Sequence, residues 1–205
     1  MGFFPFFIDI SEKEGLIVGG GPVALRKVEK LLPFQPRLTV AAPEILPELA
    51  QFPAVTLLHQ SFTPALLAGK AFVIAATDDT ALNHTISQLC QAQRIPVNVV
   101  DDRDACTFLF PALVQQGPLT VGISTGGASP SAATYVKQCL EESLPDRFGA
   151  ILDQLAALRP QVLAEIPQAN HRSAFFAALF AACMEHRRPL TDEELAALFA
   201  RKEAL

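Results

Sequence analysis

At 205 residues the chain has room for one large domain, or for a nucleotide-binding domain with a smaller appendix. Its composition is 50% apolar with mean hydropathy +0.30, ample for a core, yet no apolar run reaches the roughly 18–20 residues of a bilayer span. A net charge of −5 argues against a nucleic-acid partner, but a polyanionic small molecule could still meet a local group such as Arg26, Lys27, Arg103 and Lys137.

The apolar start, Met1-Gly2-Phe3-Phe4-Pro5-Phe6-Phe7-Ile8, lacks the basic flank and small-residue cleavage site of a signal peptide. Phe6 stands where N-myristoylation asks for Ser or Thr. The segment reads as an N-terminal strand or lid packing on the core of a cytoplasmic protein. Strand-like and helix-like stretches then alternate. Leu16–Val18, Leu38–Ala41, Val55–Leu58, Phe72–Ala76 and Pro96–Val100 read as strands, with helices at Val23–Leu32, Glu44–Ala50 and Asp79–Gln91. The strands are apolar throughout rather than at every second residue, which predicts a parallel sheet covered on both faces.

Beyond Asp101 the rhythm changes. Leu119–Ser124 reads as one more strand, and Ser129-Pro130 forms an N-cap and first helical residue for a helix to about Glu142. From Pro145 only helical spacing remains, at Ile151–Leu158, Ala174–His186 and Thr191–Lys202, separated by Pro160, Pro167 and Pro189, and Thr191 to Glu194 has the capping-box form. The expected class is α/β: a Rossmann-like parallel-sheet domain at 1–112, a linking element at 113–145, and an all-helical C-terminal region at 146–205. Cys90, Cys106, Cys139 and Cys183 lie far apart without a C-x-x-C pair, so they are expected to be free and buried, and no protein-held metal is expected.

Gly19-Gly20-Gly21-Pro22-Val23-Ala24 fits G-x-G-x-x-A, after a strand and at the opening of a helix. Gly19 permits the tight turn, Gly21 lets backbone approach a pyrophosphate, and Ala24 allows close helix–sheet packing. The helix N-terminus offers free N–H groups and partial positive charge to phosphates. An ordinary tight turn would explain the glycines alone, but the strand–turn–helix context favours a nucleotide. An acid for the ribose is expected about 20 residues on. The first candidate is Glu44, which either serves that role or simply begins a helix where negative charge is favourable. NAD is favoured over NADP only as a lean.

The glycine loop with its Arg26-Lys27 extension, Ala75-Ala76-Thr77-Asp78-Asp79, Asn98-Val99-Val100-Asp101 and Ser124-Thr125-Gly126-Gly127-Ala128-Ser129-Pro130 occur in this order. The series resembles the precorrin-2 dehydrogenase family, which includes the N-terminal module of siroheme synthase. The resemblance implies NAD-dependent oxidation of precorrin-2 to sirohydrochlorin, with ferrochelatase activity in some members. It implies an intertwined homodimer, so that 113–145 becomes a dimerisation and tetrapyrrole-binding element. It places the catalytic aspartate on Asp101 and cofactor contacts around Gly21, Pro22, Val23, Pro43, Glu44 and Thr77, joined to Gly19 and Gly20 of the loop. Substrate contacts are expected at Asn98, Thr125, Gly126, Gly127 and Ser129, with Thr125 standing where the family has serine.

The residues alone leave Asp101 open as a solvated turn aspartate beside Asp102 and Asp104. A carboxylate past a strand end is also well placed to take a proton as hydride leaves the substrate. Two competing readings stand beside the oxidation. A generic nicotinamide dehydrogenase predicts a Tyr–Lys or His pair, and the only tyrosine, Tyr135, is two residues from Lys137 and so points away from it on a helix. A non-catalytic carrier or sensor of tetrapyrrole or nucleotide would keep the loop and need no acid.

Overall fold

The computed structural model describes residues 3–202, so Met1 and Gly2 of the apolar start lie outside the described residues. The chain divides after Phe110 into two compact units. In the first, β1 (Glu14–Val18), β2 (Arg37–Ala42), β3 (Val55–His59), β4 (Phe72–Ala75) and β5 (Val97–Val99) form one parallel sheet in the order β3-β2-β1-β4-β5. Its register places Ile17 beside Val40 and Ile74, three β-branched side chains with no exposed surface. β1, β4 and β5 are buried on both faces, which is why their sequences do not alternate.

Two helices cover this sheet. α1 (Pro22–Leu31) buries Ala24, Val28 and Leu31, an i, i+4, i+7 stripe, against Ile17, Val40 and Ile74. α2 (Thr80–Ala92) buries Ile86 and Cys90 in a second cluster with Leu16, Val73 and Val97. Asp79 caps α2 by accepting from the Leu82 N–H at 3.0 Å. The expected helix at Glu44–Ala50 is instead a bend at Pro43-Glu44 and a single 3₁₀ stretch at Pro47–Gln51. Pro47 explains this: it disfavours helical backbone at Leu46, whose ψ is 133°.

The N-terminal segment also departs from expectation. Residues 3–10 form no strand, and Phe4, Phe6, Phe7 and Ile8 are exposed rather than packed as a lid. Pro5 lacks a ladder donor, which disfavours strand pairing there. Ile10 alone joins the core beneath α1.

The second unit opens with an antiparallel hairpin of β6 (Ala112–Gln116) and β7 (Leu119–Ile123), turning at Gly117-Pro118. β6 was not foreseen. Four helices follow: α3 (Pro130–Ser143), α4 (Phe148–Glu165), α5 (Ala169–His186) and α6 (Asp192–Ala200). The expected break at Pro160 does not occur. Pro160 faces solvent within α4, so water can satisfy the Ala156 carbonyl that loses its donor, while Ile151, Leu155, Leu158 and Val162 keep the buried stripe. The capping box at Thr191 and Glu194 is formed, and Arg188 reaches both Glu194 oxygens at 2.9 Å. Cys90, Cys106 and Cys183 are buried, but Cys139 is exposed on α3, because that helix buries only Ala133. No helix among the described residues is long and apolar enough to cross a membrane.

Candidate active site

The site residues of the first unit follow the carboxyl ends of β1, β2, β4 and β5. In a parallel sheet of this order that edge is the place for a ligand, since the chain crosses to opposite sides on leaving β1 and β4. The three loop glycines have different reasons to be glycine. Gly19 has φ 118°, its N–H donates to the Ala41 carbonyl at 2.9 Å, and a Cβ there would lie 2.3 Å from the Ala76 oxygen. Gly20 accepts from the Leu46 N–H at 2.9 Å, and its Cβ would lie 2.3 Å from the Glu44 oxygen. Backbone closes around both.

Gly21 is open. A Cβ there would meet nothing within 4 Å, and Gly21 caps α1 without any side-chain acceptor. The start of α1 thus has no side-chain cap for its first N–H groups, with Pro22 at the first position where no donor is lost. This cradle suits a dinucleotide pyrophosphate. Pro43 and Glu44 are exposed on the bend after β2, and the Glu44 backbone packs on Gly20. Glu44 does not begin a helix, which removes that account of its charge. Thr77 follows β4, and its hydroxyl donates to Asn83 Oδ1 at 2.7 Å while Asn83 Nδ2 donates to the Thr77 carbonyl at 2.9 Å. Buried Asn83 thus holds the Thr77 loop from α2, a role that sequence reading missed.

Asp101 lies just past β5 with φ 60°, a left-handed backbone that Asp tolerates better than bulkier residues. The surrounding turn is tied down by Cys106. Its sulfur accepts from the Val99 N–H at 3.1 Å, and its S–H faces the Val99 and Asp102 carbonyls at 3.2 and 3.1 Å. Burial pushes the Cys106 thiol up, so it acts here as a neutral hydrogen-bonding group. Asp101 lines a cleft of about 250 Å³ together with Val23, Arg26, Lys27, Lys30 and Val100.

Asn98, expected at the substrate, is only 6% exposed. Its Nδ2 donates to the Phe108 carbonyl at 3.1 Å and to Cys106 Sγ at 3.4 Å, and its Oδ1 accepts from Lys27 Nζ at 3.5 Å. Its reach into the cleft is therefore through Lys27. Of the cations that the sequence offered as a local group, Arg26 and Lys27 line this cleft, joined by Lys30, and Lys27 is the inner one. It occupies the i+3 position of the Ala24–Val28–Leu31 stripe, where a charged residue stands out against apolar neighbours.

In the second unit, Thr125, Gly126, Gly127 and Ser129 form the turn into α3. Thr125 Oγ1 accepts from the Ser129 N–H at 3.1 Å and donates to the Ser129 carbonyl at 3.0 Å. The threonine hydroxyl thus closes the turn. Gly126 and Gly127 take φ 63° and 86°, and Ser129 caps α3 by accepting from the Ala132 N–H at 3.1 Å. No Tyr–Lys pair forms: Lys137 Nζ lies 3.6 Å from Glu141, and the Tyr135 phenol is pushed up by its hydrogen bond to Cys139. Among the described residues no group of three His, Cys, Asp or Glu side chains could hold a metal ion.

The chain matches the family model NAD_binding_7, "Putative NAD(P)-binding", over residues 6–112. It is 40% identical over 182 residues to the siroheme synthase of Thioalkalivibrio sulfidiphilus, covering 87% of this chain and 37% of that protein. With the siroheme synthase of Pseudomonas entomophila the identity is 36% over 208 residues, covering 100% of this chain and 44% of the relative. The chain thus spans less than half the length of these relatives. Among solved structures, "SirC, precorrin-2 dehydrogenase" matches with a TM-score of 0.78 at 20% identity, covering 99% of this chain and 100% of that one, a likeness of fold. On its own residues and on this match, the chain belongs to the NAD_binding_7 family.

Proposed function

We propose that the chain is a precorrin-2 dehydrogenase that oxidises precorrin-2 to sirohydrochlorin with NAD⁺. The observation that carries this reading is one sheet edge bearing both an open glycine cradle and, past β5, a carboxylate in a cleft. The relatives called siroheme synthase support the choice of substrate. Bound NAD⁺ supplies a hydride acceptor. The chain's own residues do the rest. Gly19, Gly20 and Gly21 with the start of α1 bind the pyrophosphate, flanked by Pro22 and Val23, with Pro43, Glu44 and Thr77 along the same edge. Asp101 accepts or relays the proton lost by the substrate, or orients the macrocycle.

In the same reading, residues 113–145 serve as a dimerisation and tetrapyrrole-binding element between domains at 1–112 and 146–205. Gly127 and the Ser129-capped start of α3 offer N–H groups to substrate carboxylates, while Gly126, whose N–H donates to Ser124 Oγ at 3.2 Å, shapes the turn. A homodimer accords with α3, which leaves Tyr135 and Val136 exposed. A cytoplasmic location completes the proposal.

Anaerobic incubation with precorrin-2 and NAD⁺, following NADH and the product spectrum, tests it. Wild-type protein is expected to turn over, and Asp101→Ala to lose about 10²–10⁴-fold. Near-wild-type turnover by Asp101→Ala would remove Asp101 from the chemistry. Binding of NAD⁺ and sirohydrochlorin without conversion would make the protein a carrier or sensor instead.

A further inference from the structure

The cleft beside Asp101 carries three cations, Arg26, Lys27 and Lys30, against one carboxylate. Two of them are partly or fully solvated on the outer face of α1, but Lys27 is turned inward. Its Nζ sits 3.5 Å from Asn98 Oδ1 and 3.7 Å from the Phe110 ring centroid. Asn98 is buried and its Nδ2 is held by Phe108 and Cys106, so Oδ1 is a fixed acceptor rather than a passing contact. Among the described residues no carboxylate lies within ion-pair distance of Lys27. An amide oxygen and a ring face repay only part of the desolvation of an ammonium. An oriented, underpaired cation at a cleft wall calls for an anion from outside.

We propose that Arg26, Lys27 and Lys30 form a binding site for carboxylate groups of the substrate, with Lys27 as the inner, oriented member. The identity of that substrate as a polycarboxylic tetrapyrrole rests on the oxidation reading above, whereas the cationic wall does not. A dinucleotide phosphate has the same chemistry, but the open cradle for it lies at Gly21, at the start of α1 and before these residues.

The charge on Lys27 makes the site pH-dependent. Burial lowers its pKa to about 8, and Lys30 and Arg26 on its own helix push the same way, while Cys106 and Asp101 from the segment after β5 push it up. The ammonium is the form that binds carboxylate. It is present below about 8 and lost above it, so affinity for a polycarboxylate falls as pH rises through that value.

The test titrates the full chain with sirohydrochlorin, and separately with NAD⁺, below and above the Lys27 titration. Wild-type affinity for sirohydrochlorin is expected to fall about ten-fold across that range, the scale of one charge-assisted hydrogen bond. Lys27→Arg, charged throughout, is expected to bind equally at both values. Lys27→Met is expected to bind about ten-fold more weakly at the lower pH and to lose the pH dependence. NAD⁺ affinity is expected to be unchanged in both variants, which also shows that they fold.

Wild-type affinity in Lys27→Met would overturn the site, as would pH-independent binding by the wild type. NAD⁺ affinity that tracks Lys27 in place of tetrapyrrole affinity would overturn it too, by giving the cations to the cofactor. Sirohydrochlorin binding that follows Lys27 in a protein without precorrin-2 oxidation would uphold the carboxylate site and sink the oxidation reading, so the two failures are separable.

Discussion

The two units of this chain complete their cores to different degrees. In the first, one sheet carries a buried cluster on each face, and each cluster draws strands, helix and loops together from residues far apart in the chain. In the second, one cluster is built from α4, α5 and α6 with Ile166 and Leu190 of the segments that join them. The hairpin and α3, residues 112–143, contribute to none of the three clusters, and only Val114 and Ala133 among them are buried. A parallel sheet must be covered on both faces to exist at all, whereas a hairpin and one helix can form with most of their surface outside. The contrast teaches that the nucleotide half is finished within its own residues. The intervening segment is spare surface, available for the partner and substrate proposed above.

The strongest way to break this comparison is Phe175→Ala. Phe175 is fully buried and its ring centroid lies 4.6 Å from that of Phe199. The loss is expected to be about 3–5 kcal/mol. Amide exchange should show faster opening in α4–α6 with β1–β5 protection intact. Equal loss in both units would mean that they unfold as one.

Within the first unit, the paired variants Gly19→Ala and Gly21→Ala sharpen the distinction between fold and site. At Gly19 the positive φ and the 2.3 Å approach to the Ala76 oxygen are expected to cost about 3 kcal/mol in a denaturant titration. At Gly21, where a Cβ meets nothing, stability should stay within about 0.5 kcal/mol while NAD⁺ binding is lost. Retained NAD⁺ binding in Gly21→Ala would show that this position does not face the pyrophosphate.

The smallest effect concerns acid stability of the second unit. Arg188 and the Thr191 backbone hold the Glu194 carboxyl at about 2, below its ordinary 4.5. Its folded value is the depressed one, so its contribution is whole above about 4.5 and is lost as pH falls toward about 2. Glu194→Gln is expected to flatten the pH dependence of α5–α6 stability in that window, read by circular dichroism. An unchanged acid limb would show that the exposed pair contributes nothing.

Signals confined to a few neighbouring residues were legible before folding. The glycine loop, the Ser129-Pro130 start of α3 and the Thr191 capping box each depend on contacts within one turn, and each formed where expected. Strands β1, β4 and β5 were legible because burial on both faces leaves a short unbroken apolar run. Pro160 misled because a helix tolerates proline when its lost hydrogen bond faces water, a matter of which side is exposed. β6 escaped because Gln115 and Gln116 blur its apolar pattern beside the Gly117-Pro118 turn.

By itself, then, the sequence determined an α/β fold with a glycine turn opening a helix after the first strand, because those features are encoded by local backbone preference and apolar periodicity. The tertiary structure decided the rest of the site. Lys27 and Asn98 are 71 residues apart, and only the β5 side chains, the Cys106 thiol and the Phe110 ring turn a helix lysine into an inward-facing cation beside Asp101. Desolvation and charge are properties of surroundings, and surroundings exist only once the chain has closed on itself.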